Sequence, residues 1–298
     1  MKMRRASSRS SFRRNGRGVS PAISTVILTS AIIVLLLVTI VFANNFLNAQ
    51  MAENEFSAME QFMQTVGLQM DDVAWIIGRT QTIRYASKFG QVNFENGRPE
   101  NKTKVPLVYT VYVDKGAGYD YNHPLTSNGT GILLFNMPIS QYSLGNHYYR
   151  SIFPSDRSFL QKGTSAPVSC VYVVEELQMR DGNFIRVVVA PIIRMLNSTI
   201  TMGGTKNNYF KFYLPILSNG TSPRYSQSVT LTGKNVLVKT EGGVNAVKIC
   251  VSFPRIGEGF DNINFFKFDN EVKIVDVPDG STVEFYTSEV SVSLGVYA

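Results

Sequence analysis

Two kinds of chemistry can be sought in this sequence: what its side chains would perform, and what would be performed on them. The first finds little to work with. His123 and His147 are the only histidines, and both stand in a stretch rich in tyrosine, with Tyr119, Tyr121, Tyr142, Tyr148 and Tyr149. Aromatic clusters of this kind either bind sugars or pack loops over the end of a sandwich. Asp261, Asp269 and Glu271 lack the spacing of a calcium-binding loop. No nucleophile elbow, phosphate loop, dinucleotide fingerprint or zinc motif is present. The expectation is a protein that is not an enzyme, with no catalytic residue, no cofactor and no metal site.

Chemistry performed on the chain has better candidates. At Arg17-Gly18-Val19-Ser20-Pro21 a basic residue and a glycine precede a small polar residue and a proline, which marks a scissile point at Gly18–Val19. A second point follows Val41-Phe42-Ala43, where an ordinary secretory signal would be cut to leave Asn44 as the first residue. The apolar run before it, about 20 residues, is longer than the roughly 7–15 usual for such a signal. Asn101, Asn128, Asn197 and Asn219 each begin an Asn-x-Ser/Thr site, an acceptor for N-glycosylation outside the cell. Cys170 and Cys250 lie in apolar, strand-like runs (VSCVYVV and VKICVSF). Outside the cell they could pair, closing a loop of about 80 residues worth about 4 kcal/mol by loop entropy. Two buried free thiols fit the same residues equally well.

The element that must position these sites is the apolar run itself. Residues 26–43 (VILTSAIIVLLLVTIVFA) are interrupted only by Thr29, Ser30 and Thr39, and no charge occurs between Arg17 and Glu53. About 20 apolar residues cross a bilayer as a helix, so a membrane segment is expected at about 22–43. Lys2, Arg4, Arg5, Arg9, Arg13, Arg14 and Arg17 precede it without an acid. Such a leader stays on the cytoplasmic side and sends the rest of the chain outward. The leader also accounts for the basic balance of +7. Without its seven charges, 22 of the 29 Lys and Arg remain against 22 acids, so no nucleic-acid partner is expected.

Taken together, Arg17-Gly18-Val19-Ser20-Pro21-Ala22-Ile23 and the aliphatic run behind it resemble the class III signal peptide of archaeal type IV pilin-like proteins. The likeness covers about a quarter of the chain. It implies that residues 1–18 are a basic leader, removed by a prepilin peptidase on the cytoplasmic side, while the apolar helix is kept. It implies further that the retained helix packs in a filament, through Val19, Pro21, Ile23, Val26, Ile33, Leu36 and Ile40, with assembly machinery as a partner. Pro21 suits the first turn of a helix, where its missing N–H is not needed. Ile23 stands where bacterial pilins carry a glutamate, a departure common among archaeal members. A plain signal anchor is the alternative reading of the same residues.

Beyond the membrane run the helical pattern continues. Phe56, Met59, Met63, Val66, Met70, Val73 and Ile77 step by three and four, a heptad seam, with no proline across residues 22–98. The spacing predicts one helix over 19–88, its upper part packing against the chain's own head, against identical helices, or against both. Residues 89–104, with Asn96-Gly97 and Pro99, read as a joint. From 105 to 298 short runs rich in Val, Ile, Tyr and Phe recur between turn signals, at 105–114, 131–137, 168–176, 184–190, 209–217, 236–240, 245–253, 263–268, 271–275, 282–286 and 290–296. Gly203-Gly204, Gly242-Gly243 and Pro278-Asp279-Gly280 are among the expected turns.

The fold class expected is therefore α+β: a long N-terminal transmembrane and stalk helix, then a β-rich extracellular head built as one large or two smaller antiparallel sandwiches. The resemblance implies a filament-forming, glycosylated surface protein, with self-association through the N-terminal helix. The alternative is a membrane-anchored minor or adhesive protein that does not polymerise.

Overall fold

A segment of Val, Ile and Leu has one way to satisfy every backbone hydrogen bond without water or a partner strand, and that is a helix. The computed structural model, which describes residues 21–95, 105–156, 158–177, 183–202, 204–220, 227–253 and 272–295, places this segment in one continuous helix, α1 (Pro21–Ala74). Arg17, Gly18, Val19, Asn101 and the expected strand at 263–268 lie outside the described residues. The chain divides into two compact units, Met1–Asn48 and Ala49–Ala298, and α1 contributes residues to both.

The helix ends at Ala74, well short of residue 88. Gly78 takes a φ of +83°, which no helix interior accommodates, and its N–H donates to the Gly233 carbonyl at 2.8 Å. The Ser288 hydroxyl donates to the Ala74 carbonyl and closes the last turn. The chain then enters a strand, β1 (Thr80–Arg84), whose Thr80 and Thr82 hydroxyls meet those of Thr232 and Thr230 at 3.1 and 2.9 Å. Alternating β-branched residues favour this cross-strand pairing over a further helical turn. The expected joint is likewise part sheet, since β2 (Gln91–Glu95) occupies it.

Eleven further strands succeed these among the described residues: β3 (Leu107–Asp114), β4 (Thr126–Thr130), β5 (Ile132–Pro138), β6 (Tyr148–Phe153), β7 (Leu160–Lys162), β8 (Ser169–Glu175), β9 (Phe184–Pro191), β10 (Ile193–Met202), β11 (Thr205–Asn219), β12 (Ser228–Ser252) and β13 (Val272–Gly295). One sheet has five strands in the order β2-β5-β9-β8-β6. The other has eight, in the order β4-β3-β12-β13-β11-β10-β7, with β1 also paired to β12. Pairing is antiparallel except for β11 with β13 and β7 with β10. The first exception has a simple cause. The chain returns along β12, and β13 then inserts between β12 and β11, so it must run parallel to β11.

The two sheets share a core. Tyr109, Val111, Val247 and Ile249 from the larger sheet are buried with Leu134, Tyr172, Val188 and Ala190 from the smaller one. The sheets thus form one sandwich-like pair. The smaller sheet is covered on its other face as well: Val171, Val173, Val187 and Val189 pack against α1. Period-two alternation explains why β8 and β9 read as unbroken apolar runs, for each presents one row of side chains to the larger sheet and the other to the helix. In the second unit the five-stranded sheet lies between the helix and the larger sheet, and Leu217, Val229 and Val290 of the larger sheet also reach the helix seam.

Two of the expected turns are not turns. Gly242-Gly243 lies inside β12, beside register shifts at Glu241/Val244 and Val244/Ala246, and Pro278-Asp279-Gly280 lies inside β13. The positive φ of Gly243 and of Gly280 bends two long strands together instead of reversing them. Gly203 lies outside the described residues, and Gly204, with a φ of +85°, stands just before β11.

Candidate assembly surface

In the first unit the residues at stake are those of the apolar run. Ile23, Val26, Ile33, Leu36 and Ile40 are all more than half exposed, and Phe42 reaches 72%. Exposure is not confined to one stripe, for the intervening Ile27, Leu28, Ile32, Val34, Leu35 and Leu37 are exposed too. Pro21 begins the helix. The polar groups in the run are turned inward on the helix's own backbone. Thr29 donates to the Thr25 carbonyl at 2.9 Å, Ser30 to Ile27 at 2.9 Å and Thr39 to Leu35 at 2.8 Å. This internal pairing removes the cost of placing a hydroxyl in an apolar medium. The surface is therefore apolar all round, the pattern of a helix meant to be covered on every side. Among the described residues α1 is the helix long and apolar enough to cross a membrane, a property shared by membrane anchors and signal sequences.

The heptad seam meets a different fate in the second unit. Phe56, Met59, Met63, Val66, Met70 and Val73 are essentially inaccessible, together with Ala52 and Ala74. They are buried against Val92, Phe135, Val171, Val187, Leu217, Val229 and Val290 of the chain's own sheets. The seam thus belongs to the head, each side chain contributing on the order of 1.5–3 kcal/mol by burial. Ile77, the expected seventh member, lies past the end of the helix and is 65% exposed. Gly67 allows the close approach. A Cβ there would sit 2.9 Å from both Ser169 Oγ and Val171 Cγ2, and the Ser169 hydroxyl donates to the Gly67 carbonyl at 2.8 Å.

Charged residues flanking the seam pin it from the sides, a role the heptad count does not reveal. The Glu55 carboxylate accepts from the backbone N–H groups of Lys88, Phe89 and Gly90, at 2.9, 2.9 and 3.1 Å, and from the Ser87 hydroxyl at 2.6 Å. One side chain thereby holds residues 87–90 of the connection between β1 and β2 against the helix, while Gln227 holds Tyr85 and Ser87. Asp71 accepts from Trp75 Nε1 and from Arg194, both at 2.7 Å, and Arg194 lies over the Tyr213 ring. Glu60 pairs with Arg150 and, through that hydrogen bond first, raises the guanidinium above its ordinary range. Burial, with Glu53 and Glu60 adding to it, raises the nearby Tyr142 hydroxyl as well.

The remaining sequence candidates are scattered. Neither Cys170 nor Cys250 is in a disulfide. Cys170 points into the shared core, whereas Cys250 lies between Ile249 and Val251, which face that core, and so points to the opposite side of its sheet. Alternation along β12 is what keeps them apart. The tyrosine-rich stretch is split between the sheets. Tyr119, Tyr121 and His123 lie in the connection from β3 to β4, and His123 Nδ1 is 2.8 Å from Asp120. Tyr142, Tyr148 and Tyr149 belong to the smaller sheet's side, where Tyr142 packs on Phe56 and Tyr149 stacks on Tyr172. His147 meets Glu176 at 2.7 Å.

Of the glycosylation sites, Asn197 and Asn219 are exposed. Asn128 is half-buried in β4, its amide donating to Thr126 Oγ1 at 2.6 Å. Among the described residues no group of three or more His, Cys, Asp and Glu side chains is placed to hold a metal ion. Compared with known proteins, the chain matches no family model, no curated protein sequence and no solved structure.

Proposed function

We propose that the chain is a structural subunit of an archaeal type IV pilus-like surface filament, cleaved after Gly18 and assembled through its apolar N-terminal helix. The observation that carries this reading is the contrast within α1: residues from Ile23 to Leu47 expose aliphatic side chains on every side, while the seam from Phe56 to Val73 is already occupied by the chain's own head. Exposed apolar area costs on the order of 25 cal/mol per Å² in water, so the first stretch needs a cover that the described residues do not supply. Lipid provides it before assembly, and neighbouring helices provide it afterwards. Ser24, Thr25, Ser30 and Ala31 are small enough for close helix approach. The subunit is held in the cell membrane with its head outside, and passes into an extracellular filament after processing. The resemblance around Gly18 supplies the lineage, the prepilin peptidase and the assembly machinery as partners.

N-terminal sequencing of protein from its native cells tests this directly. Val19 is the expected first residue, and Gly18→Asp is expected to leave the leader attached and abolish filaments seen by electron microscopy. A chain beginning at Asn44 would overturn the reading in favour of a secreted protein. A chain beginning at Met1 or Lys2 would make α1 a permanent anchor that presents the head without polymerising.

A further inference from the structure

The outer face of the eight-stranded sheet carries a cluster that the assembly reading leaves unused. Tyr112 on β3 and Tyr119 and Tyr121 in the connection after it gather around Lys248 on β12. The Tyr112 and Tyr121 rings are 5.1 Å apart and those of Tyr119 and Tyr121 are 6.1 Å apart. Lys248 donates to the Tyr121 hydroxyl at 3.0 Å and stands 4.7 Å from the Tyr121 ring centre and 5.7 Å from that of Tyr119. Tyr121 is nonetheless 57% exposed. Opposite Lys248 in the strand register, Ile274 presents an equally exposed side chain.

The connection that bears the rings is held in shape by its own carboxylates. Asp114 accepts from the N–H groups of Gly116 and Gly118 at 2.8 and 2.9 Å, and Asp120 accepts from those of Asn122 and His123 at 2.9 and 3.2 Å. Gly116 and Gly118 both have positive φ, which lets the chain fold back so tightly. The rings are therefore presented without the ordering cost that a loose loop would add on binding. The same connection borders a cleft of about 600 Å³, lined by the apolar Val113, Pro124 and Leu125 as well as by Lys115, Asp120, His123, Lys239 and Glu241. Its charges are balanced, with Lys115 and Glu241 paired at 2.6 Å and His123 paired with Asp120.

We propose that this face binds a neutral saccharide chain, with Tyr119 and Tyr121 stacking on sugar rings and the adjoining cleft receiving their hydroxyl groups. A pyranose ring offers an apolar C–H face and a rim of hydroxyls that both donate and accept. An aromatic surface next to a cleft of mixed donors and acceptors answers both halves of that chemistry. A nucleic acid would call for an excess of positive charge, which the balanced cleft lacks. A protein interface is depleted of charge at its centre, and here the centre is Lys248. The Lys248 ammonium, donating to the Tyr121 hydroxyl at 3.0 Å, fixes the ring edge. Lys248 and its register partner Tyr112 alternate with Val111, Val247 and Ile249, which face the shared core, so the site lies on the other face of that sheet and its binding needs no filament.

The test uses the full mature chain in a detergent without a sugar headgroup, titrated calorimetrically with maltohexaose, cellohexaose, chitohexaose and mannohexaose. At least one of the four is expected to bind. Tyr121→Ala is expected to weaken that binding about tenfold or more, as loss of a central aromatic contact does. Tyr121→Phe, which keeps the ring, is expected to stay within about threefold of the parent, a difference under 1 kcal/mol. Ile200→Ala, exposed on β10, serves as the unaffected control. Circular dichroism reports whether each variant is folded, and Lys248→Ala replaces Tyr121→Ala if that variant is not. Binding of none of the four sugars, or equal binding by the alanine variant, would overturn the proposal. So would sedimentation showing that the face joins two copies of the chain and that Tyr121→Ala separates them. Electron microscopy and N-terminal sequencing report on assembly separately, so a failure here leaves that reading standing.

Discussion

One helix, two surfaces: residues 23–51 of α1 are exposed on every side, and from Ala52 to Ala74 the same helix buries a continuous seam. The first stretch is aliphatic around its whole circumference. The second turns its large apolar residues, Leu68 excepted, to the face that meets the sheets and places Glu55, Glu60 and Asp71 on the flanks, each with a partner. Composition separates a segment that is apolar around its circumference from one with a single apolar face, and the structure shows the chain's own sheets covering the second. The lesson concerns polar residues more than apolar ones. In the first stretch hydroxyls satisfy themselves on the helix backbone, and in the second carboxylates reach across to other elements.

The largest expected effects come from placing charge in each stretch. In a soluble chain of residues 49–298, Met63→Asp with Met70→Asp should cost roughly 3–5 kcal/mol or more, since each carboxylate would be buried without a partner. Urea denaturation read by circular dichroism measures this directly, and a melt like that of the parent would mean that the seam does not hold the head together. The matching change in the other stretch, Leu36→Asp in the mature chain, should leave the melting of the head unaltered. It should instead impair membrane retention, with a penalty of about 2.5–3.5 kcal/mol for an Asp near mid-helix.

A smaller effect is expected where α1 gives way to β1. A Cβ on Gly233 would stand 2.5 Å from the Val73 carbonyl oxygen and 2.6 Å from that of Ile76. Both are backbone atoms and cannot swing aside, so Gly233→Ala should destabilise the head by about 1–3 kcal/mol in the same measurement. No loss of stability would show that the end of the helix has slack.

The finest probe of the comparison is Glu55→Gln. It keeps the shape but gives up the charge that strengthens the bonds to Lys88, Phe89 and Gly90, for a loss of about 1–2 kcal/mol. The informative readout is local. Hydrogen exchange should accelerate at the amides of residues 88–90 before it changes in the core of β8 and β9. Uniform exchange across both regions would mean that Glu55 is not a local pin.

Much of this architecture can be read from residue order, and the reasons are local. A run such as VILTSAIIVLLLVTIVFA announces a helix with an apolar surface because length and hydropathy together leave no other way to pair the backbone. VSCVYVV at β8 announces a strand buried on both faces, and the heptad from Phe56 to Val73 announces a packing stripe. What residue order did not carry was the identity of the opposing surface. Period and hydropathy state that a face must be covered, but the cover for the seam comes from strands scattered along the chain from β2 to β13. The point where α1 stops depends on Gly233 and Ser288, contacts that no window around Ala74 contains. The same holds for Gly243 and Gly280. Glycine permits a positive φ equally in a hairpin and in a bulge, and only the pairing of β12 with β13 decided for the bulge. Cys170 and Cys250 lie in similar apolar runs, yet the core claims one and the opposite face of the other sheet takes the second. Alternation assigns a side chain to one of two faces; which of the two becomes interior is settled only when the sheets pack.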